Sequence, residues 1–168
     1  PQQRRGLGWN ATARLAASRV EAFVAVATHL RALGLAAPEI YGADLEAGYA
    51  VIEDLGDDLY ARVIPEGAPE ELLYAEAARV LAHVHAAPMT AKIEGPVGAV
   101  WPLLEYDALA LEVNADLFVE WLPRAADVRI DDAARARWEK VRDSLIVKAL
   151  GFPRAFTIRD YHAENLLW

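Results

Sequence analysis

The sequence predicts a mostly helical α+β fold, and three observations indicate it. Apolar residues recur at helical spacing in four segments. Short segments rich in β-branched or aromatic residues, bounded by glycine, proline and aspartate, lie between and after them. The 168 residues are 55% hydrophobic and 25% charged, which is typical of a folded protein rather than of a disordered chain.

The first predicted helix begins at Phe23 and continues to Leu33. Its apolar face follows the i, i+3, i+4, i+7 pattern and comprises Phe23, Val26, Ala27, Leu30 and Leu33. Gly34 readily takes the left-handed conformation that ends helices, so we expect the helix to stop there.

Two short strands are predicted after Pro38, at residues 39–41 and 49–53. Turn-forming residues separate them, among them Gly42, Asp44 and Gly48. The second strand is expected to end in a turn over residues 53–58, which contains Gly56 and three aspartates.

The second helix is predicted to begin at Pro69, because proline suits the first helical position and the two glutamates after it suit the positive end of the helix dipole. Its buried stripe would end before Pro88 and comprises Leu73, Ala77, Val80, Leu81 and Val84. The following segment, 95–102, contains two glycines and two prolines, and we expect little regular structure in it.

Two longer helices are predicted at residues 107–121 and 131–150, the second closed by Gly151 and Pro153. Periodicity predicts an inward face made of Val113, Leu117 and Trp121 in the first and of Ala134, Trp138, Val141 and Leu145 in the second. Residues 156–158 and 166–168 are predicted to be short strands, and a loop held between two strands is a rigid place for polar chemistry.

Charge and composition exclude several classes of function. The formal net charge is -8, which disfavours a nucleic-acid partner, since phosphate backbones are bound by clustered lysine and arginine. There are no cysteines, hence no disulfides and no thiolate metal sites. The best apolar stretch, residues 23–35, is interrupted by His29 and Arg31, so we expect no membrane span and a cytoplasmic location.

The most informative string is Asp-Tyr-His-Ala-Glu-Asn at residues 160–165. A carboxylate and an amide five residues apart suit phosphoryl transfer, which depends on positioning and charge more than on covalent chemistry. Asp160 could accept or orient the proton of an acceptor hydroxyl. Asn165 could supply an amide oxygen to a divalent ion on a triphosphate.

This string resembles the His-Gly-Asp-Leu-His-x-x-Asn loop of the aminoglycoside phosphotransferase and choline kinase-like family, with Arg159 in place of the glycine. Residues 159–168 are more similar still to a bacterial branch of that family, the anomeric N-acetylmuramate/N-acetylglucosamine kinases. Supporting segments are 23–35, which resembles the N-lobe helix, 51–56, which resembles the hinge between lobes, and 81–85, which resembles the first C-lobe helix.

The resemblance implies a protein-kinase-like two-lobe fold, with an incomplete N-lobe over residues 1–54 and a C-lobe portion over 55–168. It implies ATP and magnesium as cofactors, a small-molecule acceptor as partner, Asp160 and His162 as catalytic residues, and Asn165 as a metal ligand. Adenine would bind at Glu53, Asp54 and Leu55, through backbone groups near Glu53 and Leu55.

Three parts of the family pattern have no match: the glycine-rich loop, the nucleotide-binding lysine and the second metal-binding aspartate. Because the first residues resemble the family's N-terminus, we expect a seam near residues 18–21 where N-lobe strands are missing. We also expect the chain as given to be inactive by itself.

Several alternatives stay open at the level of sequence. His162 either touches the substrate or stabilises the loop by a hydrogen bond, and we favour the second role. Arg159 either contacts a phosphate or pairs with a carboxylate. The acceptor is an amino sugar or an aminoglycoside-like molecule, and the alternative function is a non-catalytic, kinase-like nucleotide-binding module.

Overall fold

A computed structural model of the protein describes residues 18–168, and its fold is α+β, as predicted. The helices are α1 (Val20–Ala32), α2 (Tyr60–Val63), α3 (Glu70–Ala86), α4 (Ala108–Ala126) and α5 (Asp132–Leu150). The strands are β1 (Ile40–Asp44), β2 (Tyr49–Ile52), β3 (Lys92–Glu94) and β4 (Val100–Pro102). Short 3-10 turns lie at Pro96–Gly98 and Ala163–Asn165.

The described residues form two compact units. The main unit comprises residues 18–103 and 154–168, and the helical-pair unit comprises Leu104–Pro153. Between Ser18 and Trp168, none of the helices combines the length and apolar character needed to cross a bilayer.

Helix α1 confirms the first predicted helix, although its buried face differs from the predicted stripe. The buried side chains are small: Ala22, Val24, Ala25 and Ala27, while Phe23 is exposed. Gly34 has φ of 80° and its N–H donates to the Arg31 carbonyl at 2.9 Å, so it ends the helix as expected.

Strands β1 and β2 pair antiparallel and confirm the two strands predicted after Pro38. The hairpin turn is closed by the Gly48 N–H, which donates to the Asp44 carbonyl at 2.9 Å. The Asp44 carboxylate accepts a further bond from the Ala47 N–H at 2.8 Å, so turn-forming residues act here as the sequence indicated.

The expectation that residues 95–102 carry little regular structure is wrong. Strands β3 and β4 form an antiparallel hairpin around the Pro96–Gly98 turn, with Ile93 and Ala99 buried. A Cβ added to Gly95 would lie only 3.1 Å from the Cα of Ala25. The glycine therefore lets the hairpin approach α1 closely, which local sequence signals cannot reveal.

A hydrophobic cluster in the main unit joins α2 and α3. Its buried members are Tyr60, Val63, Leu73 and Ala77, and Tyr161, Ala163 and Leu166 pack against them. Helix α3 follows Pro69 and ends at Ala86, before Pro88, as predicted. The cluster thus places the chain after residue 160 on the face of α3.

The two strands predicted at residues 156–158 and 166–168 are not formed. In the described part of the chain, this region has one isolated bridge, between Leu59 and Leu167, and no strand. A strand needs a neighbour to supply a ladder of hydrogen bonds, and apolar composition alone does not provide one.

The helical-pair unit confirms both long helices but not their predicted inward faces. Asp107 and Asp131 cap α4 and α5, accepting from backbone N–H groups at 3.0 and 2.7 Å. The buried α4 residues are Ala110, Asp116 and Val119. The predicted inward residues Leu117, Trp121, Val141 and Leu145 are instead exposed.

A polar contact explains this difference. Asp116 is 5% exposed, and its carboxylate accepts bonds from Trp138 Nε1 at 2.7 Å and Arg142 Nη1 at 2.8 Å. This cluster occupies the contact between α4 and α5. Two helices have only one face each to bury against the other, so the remaining apolar positions stay uncovered within this unit.

Candidate functional site

The loop at residues 159–165 is closed by its own hydrogen bonds. The Asn165 N–H donates to the His162 carbonyl at 2.8 Å, within the 3-10 turn. The Asn165 side-chain Nδ2 donates to the Asp160 carbonyl at 2.9 Å. The two residues that sequence analysis singled out are therefore joined directly, and the spacing between them is held by a side chain.

The orientation of this amide decides what Asn165 can do next. Because Nδ2 donates to Asp160, the other end of the amide is Oδ1, an acceptor only. Magnesium prefers oxygen ligands and keeps several from water and phosphate, so Asn165 Oδ1 fits it as a protein ligand, and the exposed Asp160 carboxylate stays open to an acceptor hydroxyl. Within residues 18–168 there is no group of three His, Cys, Asp or Glu side chains that could hold a metal ion. Water and phosphate oxygens would therefore supply the other ligands.

His162 lies inside the loop and contacts its amides. Its Nδ1 accepts from the Glu164 N–H at 3.4 Å and so caps the 3-10 turn. Its Nε2 lies 3.3 Å from Asn165 Nδ2. Both ring nitrogens are thus directed at the loop itself, an arrangement that suits a residue ordering the loop.

Tyr161 fastens the loop to α3. Its hydroxyl donates to the Ala77 carbonyl at 2.7 Å, across 84 residues of sequence. Burial raises the pKa of Tyr161, and the nearby Tyr60 and Glu76 raise it further, so the hydroxyl stays protonated as a donor. Sequence analysis assigned Tyr161 no role, although an aromatic residue between two polar loop residues was a usable signal.

The C-terminal flank of the loop is bonded to residues 58–60. The Tyr60 N–H donates to the Leu166 carbonyl at 2.9 Å, and the Trp168 N–H donates to the Asp58 carbonyl at 2.9 Å. These bonds flank the Leu59–Leu167 bridge. The loop is therefore held on one side by α3 and on the other by the chain that follows the segment 53–55.

The segment Glu53–Leu55 leaves backbone groups available for a ligand. The Glu53 N–H donates to the Glu39 carbonyl at 2.8 Å, and the Asp54 carboxylate accepts from the Gly56 N–H at 2.9 Å. Among the described residues, the Glu53 carbonyl and the Leu55 N–H form no backbone hydrogen bond. The segment therefore has one acceptor and one donor two residues apart without a backbone partner in the described part of the chain.

A family comparison gives one match that covers nearly the whole chain. The model of the phosphotransferase enzyme family matches residues 11–168. This range contains the loop at 159–165, the segment 53–55 and every helix and strand described above.

Curated relatives are similar over most of the chain. The N-acetylmuramate/N-acetylglucosamine kinase of Caulobacter vibrioides is 52% identical over 168 residues, which are 100% of this chain and 46% of that protein. The kinases of the same name from Pseudomonas aeruginosa and Pseudomonas putida are 34% and 32% identical over 146 residues, or 86% of this chain and 40% of each relative. The chain therefore spans less than half the length of these relatives.

Proposed function

The chain belongs to the phosphotransferase enzyme family, and we propose that the intact protein transfers the terminal phosphoryl group of ATP to a hydroxyl of an amino sugar. The names of the relatives support this acceptor class and make N-acetylmuramate and N-acetylglucosamine the acceptors to test first. No comparison favours an aminoglycoside. The observation that carries the proposal is the 2.9 Å bond from Asn165 Nδ2 to the Asp160 backbone carbonyl, which holds the Asn165 amide against the backbone that carries the Asp160 carboxylate.

Each loop residue has a separate task in this proposal. The Asp160 carboxylate accepts a hydrogen bond from the acceptor hydroxyl, aligns its oxygen with the terminal phosphorus and takes up the proton as the new bond forms. Asn165 Oδ1 would hold magnesium, which neutralises charge on the triphosphate when bound. His162 and Tyr161 keep these two groups in place through their contacts with the loop and with α3.

The nucleotide base would bind at Glu53–Leu55. The Glu53 carbonyl would accept from the adenine amino group, and the Leu55 N–H would donate to a ring nitrogen. Asp54 shapes the turn between them through its bond to Gly56. This placement is supported by the pairing of residues 58–60 with 166–168, which ties the chain just after the segment to the chain just after the loop.

The intact protein would have the architecture and the partners of a kinase. We assign residues 1–54 to a kinase-like N-lobe, with a seam near 18–21, and residues 55–168 to part of a C-lobe. Residues 1–17 lie outside the described part of the chain. The partners of the intact protein would be a nucleotide and a small-molecule acceptor in the cytoplasm. We propose that it binds neither nucleic acid nor a membrane.

Substitution of the two loop residues tests the proposal. In the intact protein, Asp160→Asn and Asn165→Ala should each lower ATP-dependent phosphorylation of N-acetylglucosamine by about 100-fold or more, since they remove the base and a metal ligand. ADP release in a coupled assay measures this. Matched controls are Asp132→Asn, exposed in the first turn of α5, and Asn114→Ala in α4, which should stay within about twofold.

Two results would contradict the proposal. Normal phosphorylation by either loop variant would remove the assigned roles. Binding of ATP by the wild-type protein without turnover of any amino sugar would favour the alternative, a non-catalytic nucleotide-binding module.

A further inference from the structure

We infer that Arg31 is a positioning residue for the nucleotide base, acting through Glu53. The inference rests on the proposed function above, because it takes Glu53–Leu55 as the segment that binds adenine. Arg31 lies in the last turn of α1 and its guanidinium reaches out of that helix to the two segments that frame Glu53.

The shortest contact of the Arg31 guanidinium is with a backbone carbonyl, and its two carboxylate neighbours lie farther away. Arg31 Nη1 donates to the Ala37 carbonyl at 2.8 Å, across the loop that leads from α1 to β1. The same nitrogen lies 3.6 Å from Glu53 Oε2, and Nη2 lies 4.0 Å from Glu39 Oε2. One planar, permanently charged group therefore connects the end of α1 with both chain segments at the open end of the β1–β2 hairpin.

Glu53 is in turn held on both its backbone and its side chain. Its N–H donates to the Glu39 carbonyl at 2.8 Å, and its Oε2 accepts from the Glu39 N–H at 3.0 Å. Oε2 is also the atom nearest Arg31. These contacts hold Glu53 by its N–H and its carboxylate, so in this proposal they also set the direction of the Glu53 carbonyl, the group proposed to bind the base.

The exposure of these groups separates a positioning role from a stabilising one. The Arg31 side chain is 44% exposed and that of Glu53 is 35% exposed. Ion pairs this exposed contribute little to global stability, because water screens them. Their effect should be local, on where the Glu53 carbonyl lies, so the loss of Arg31 should weaken nucleoside binding without unfolding the protein.

Three ligands of the intact protein test the inference: adenosine, which carries the base without phosphate, inorganic tripolyphosphate, which carries phosphate without the base, and ATP. Arg31→Ala should raise the Kd of adenosine and the KM of ATP by about fivefold, and leave tripolyphosphate inhibition and kcat at saturating ATP within about twofold. Arg31→Lys keeps the charge but not the planar fork, and should recover part of the loss.

A control and a double mutant sharpen the test. Arg79→Ala removes a more exposed helical arginine that pairs with Glu76, and should leave adenosine binding unchanged. Glu53→Gln should weaken adenosine binding less than Arg31→Ala. In the double mutant the two effects should not add, since both act through one contact.

The possible failures are distinguishable. If Arg31→Ala matches Arg79→Ala, or weakens adenosine and tripolyphosphate equally, the inference about Arg31 is wrong while the kinase proposal stands. If the wild-type protein binds no adenosine, both the role of Arg31 and the assignment of Glu53–Leu55 to adenine binding are wrong. If it binds adenosine but phosphorylates no acceptor, the Arg31 measurements remain decisive and the proposed reaction alone is wrong.

Discussion

Replacing Tyr161 with phenylalanine isolates the bond that fastens the loop to α3. The substitution removes the hydroxyl that donates to the Ala77 carbonyl at 2.7 Å and leaves the ring packed against the cluster around Tyr60. Ala77 lies inside α3, so its carbonyl keeps an intrahelical donor and is not left unsatisfied. The expected loss of stability is therefore that of one ordinary hydrogen bond, about 0.5–1.5 kcal/mol. No buried polar group is left without a partner, so no further penalty is added.

Urea unfolding of the intact protein measures this loss. With a denaturant slope of about 2–3 kcal/mol per molar, a loss of about 1 kcal/mol lowers the midpoint by about 0.3–0.5 M. Tyr161→Leu also removes the aromatic ring from the cluster and should lose about 2 kcal/mol more. The rate of phosphorylation should fall by no more than about threefold for Tyr161→Phe. It should fall further for Tyr161→Leu, because the loop then loses its packing as well as its bond.

The matched control is Tyr74→Phe. The Tyr74 ring packs edge-on against Tyr60, and its hydroxyl makes no hydrogen bond within residues 18–168. Its midpoint should stay close to that of the wild type. If Tyr161→Phe were as stable as Tyr74→Phe, the bond to Ala77 would not hold the loop, and the reasoning about its anchoring would be refuted.

Three further predictions concern packing, charge and pH. Gly95→Ala should destabilise by about 1–3 kcal/mol in urea unfolding, since its Cβ would meet backbone at 3.1 Å, whereas Gly42→Ala has nothing within 4 Å and should cost under about 1 kcal/mol. Asp116→Asn should cost about 1.5–3 kcal/mol by the same measurement, because it removes the charge from the covered carboxylate that Arg142 bonds at 2.8 Å, while Arg142 keeps its pair with Asp143 at 2.7 Å. Burial raises the pKa of both Tyr60 and Tyr161 above 10.0, so the stability they contribute is present below pH 10 and is lost as pH rises through the raised pKa. Replacing both with phenylalanine should flatten that alkaline loss in a pH series of urea midpoints.

Each of these has an outcome that would contradict it. Equal stability of the two glycine variants would mean that the β3–β4 hairpin does not approach α1 as described. If the urea midpoint of Asp116→Asn is close to that of Asp132→Asn, the polar contact of Asp116 does not hold α4 and α5 together. An alkaline transition unchanged by the double phenylalanine variant would assign the pH dependence to other groups.

Local signals predicted the elements whose boundaries depend on local chemistry. Gly34 ends α1, Asp44 and Gly48 close the β1–β2 turn, and Pro69 precedes α3, each as the residue type indicated. The pairing of Asp160 with Asn165 could also be predicted from the sequence, because the hydrogen bond that joins them lies within six consecutive residues.

Long-range contacts account for what the sequence could not predict. The β3–β4 hairpin depends on the fit of Gly95 against α1, some 70 residues earlier. The buried side of α4 is chosen by Asp116 and its partners on α5, so apolar periodicity predicted the wrong face. Tyr161 bonds to Ala77, 84 residues earlier, and Arg31 lies 3.6 Å from Glu53, outside its own helix, so neither contact could be predicted from the local sequence.

The most direct measurement of the central claim is a crystal structure of the intact protein with magnesium, a non-hydrolysable ATP analogue and N-acetylglucosamine. The proposal predicts Asn165 Oδ1 about 2.1 Å from magnesium and an Asp160 oxygen within about 3 Å of one sugar hydroxyl. A metal held without Asn165, or an acceptor hydroxyl beyond the reach of Asp160, would contradict it.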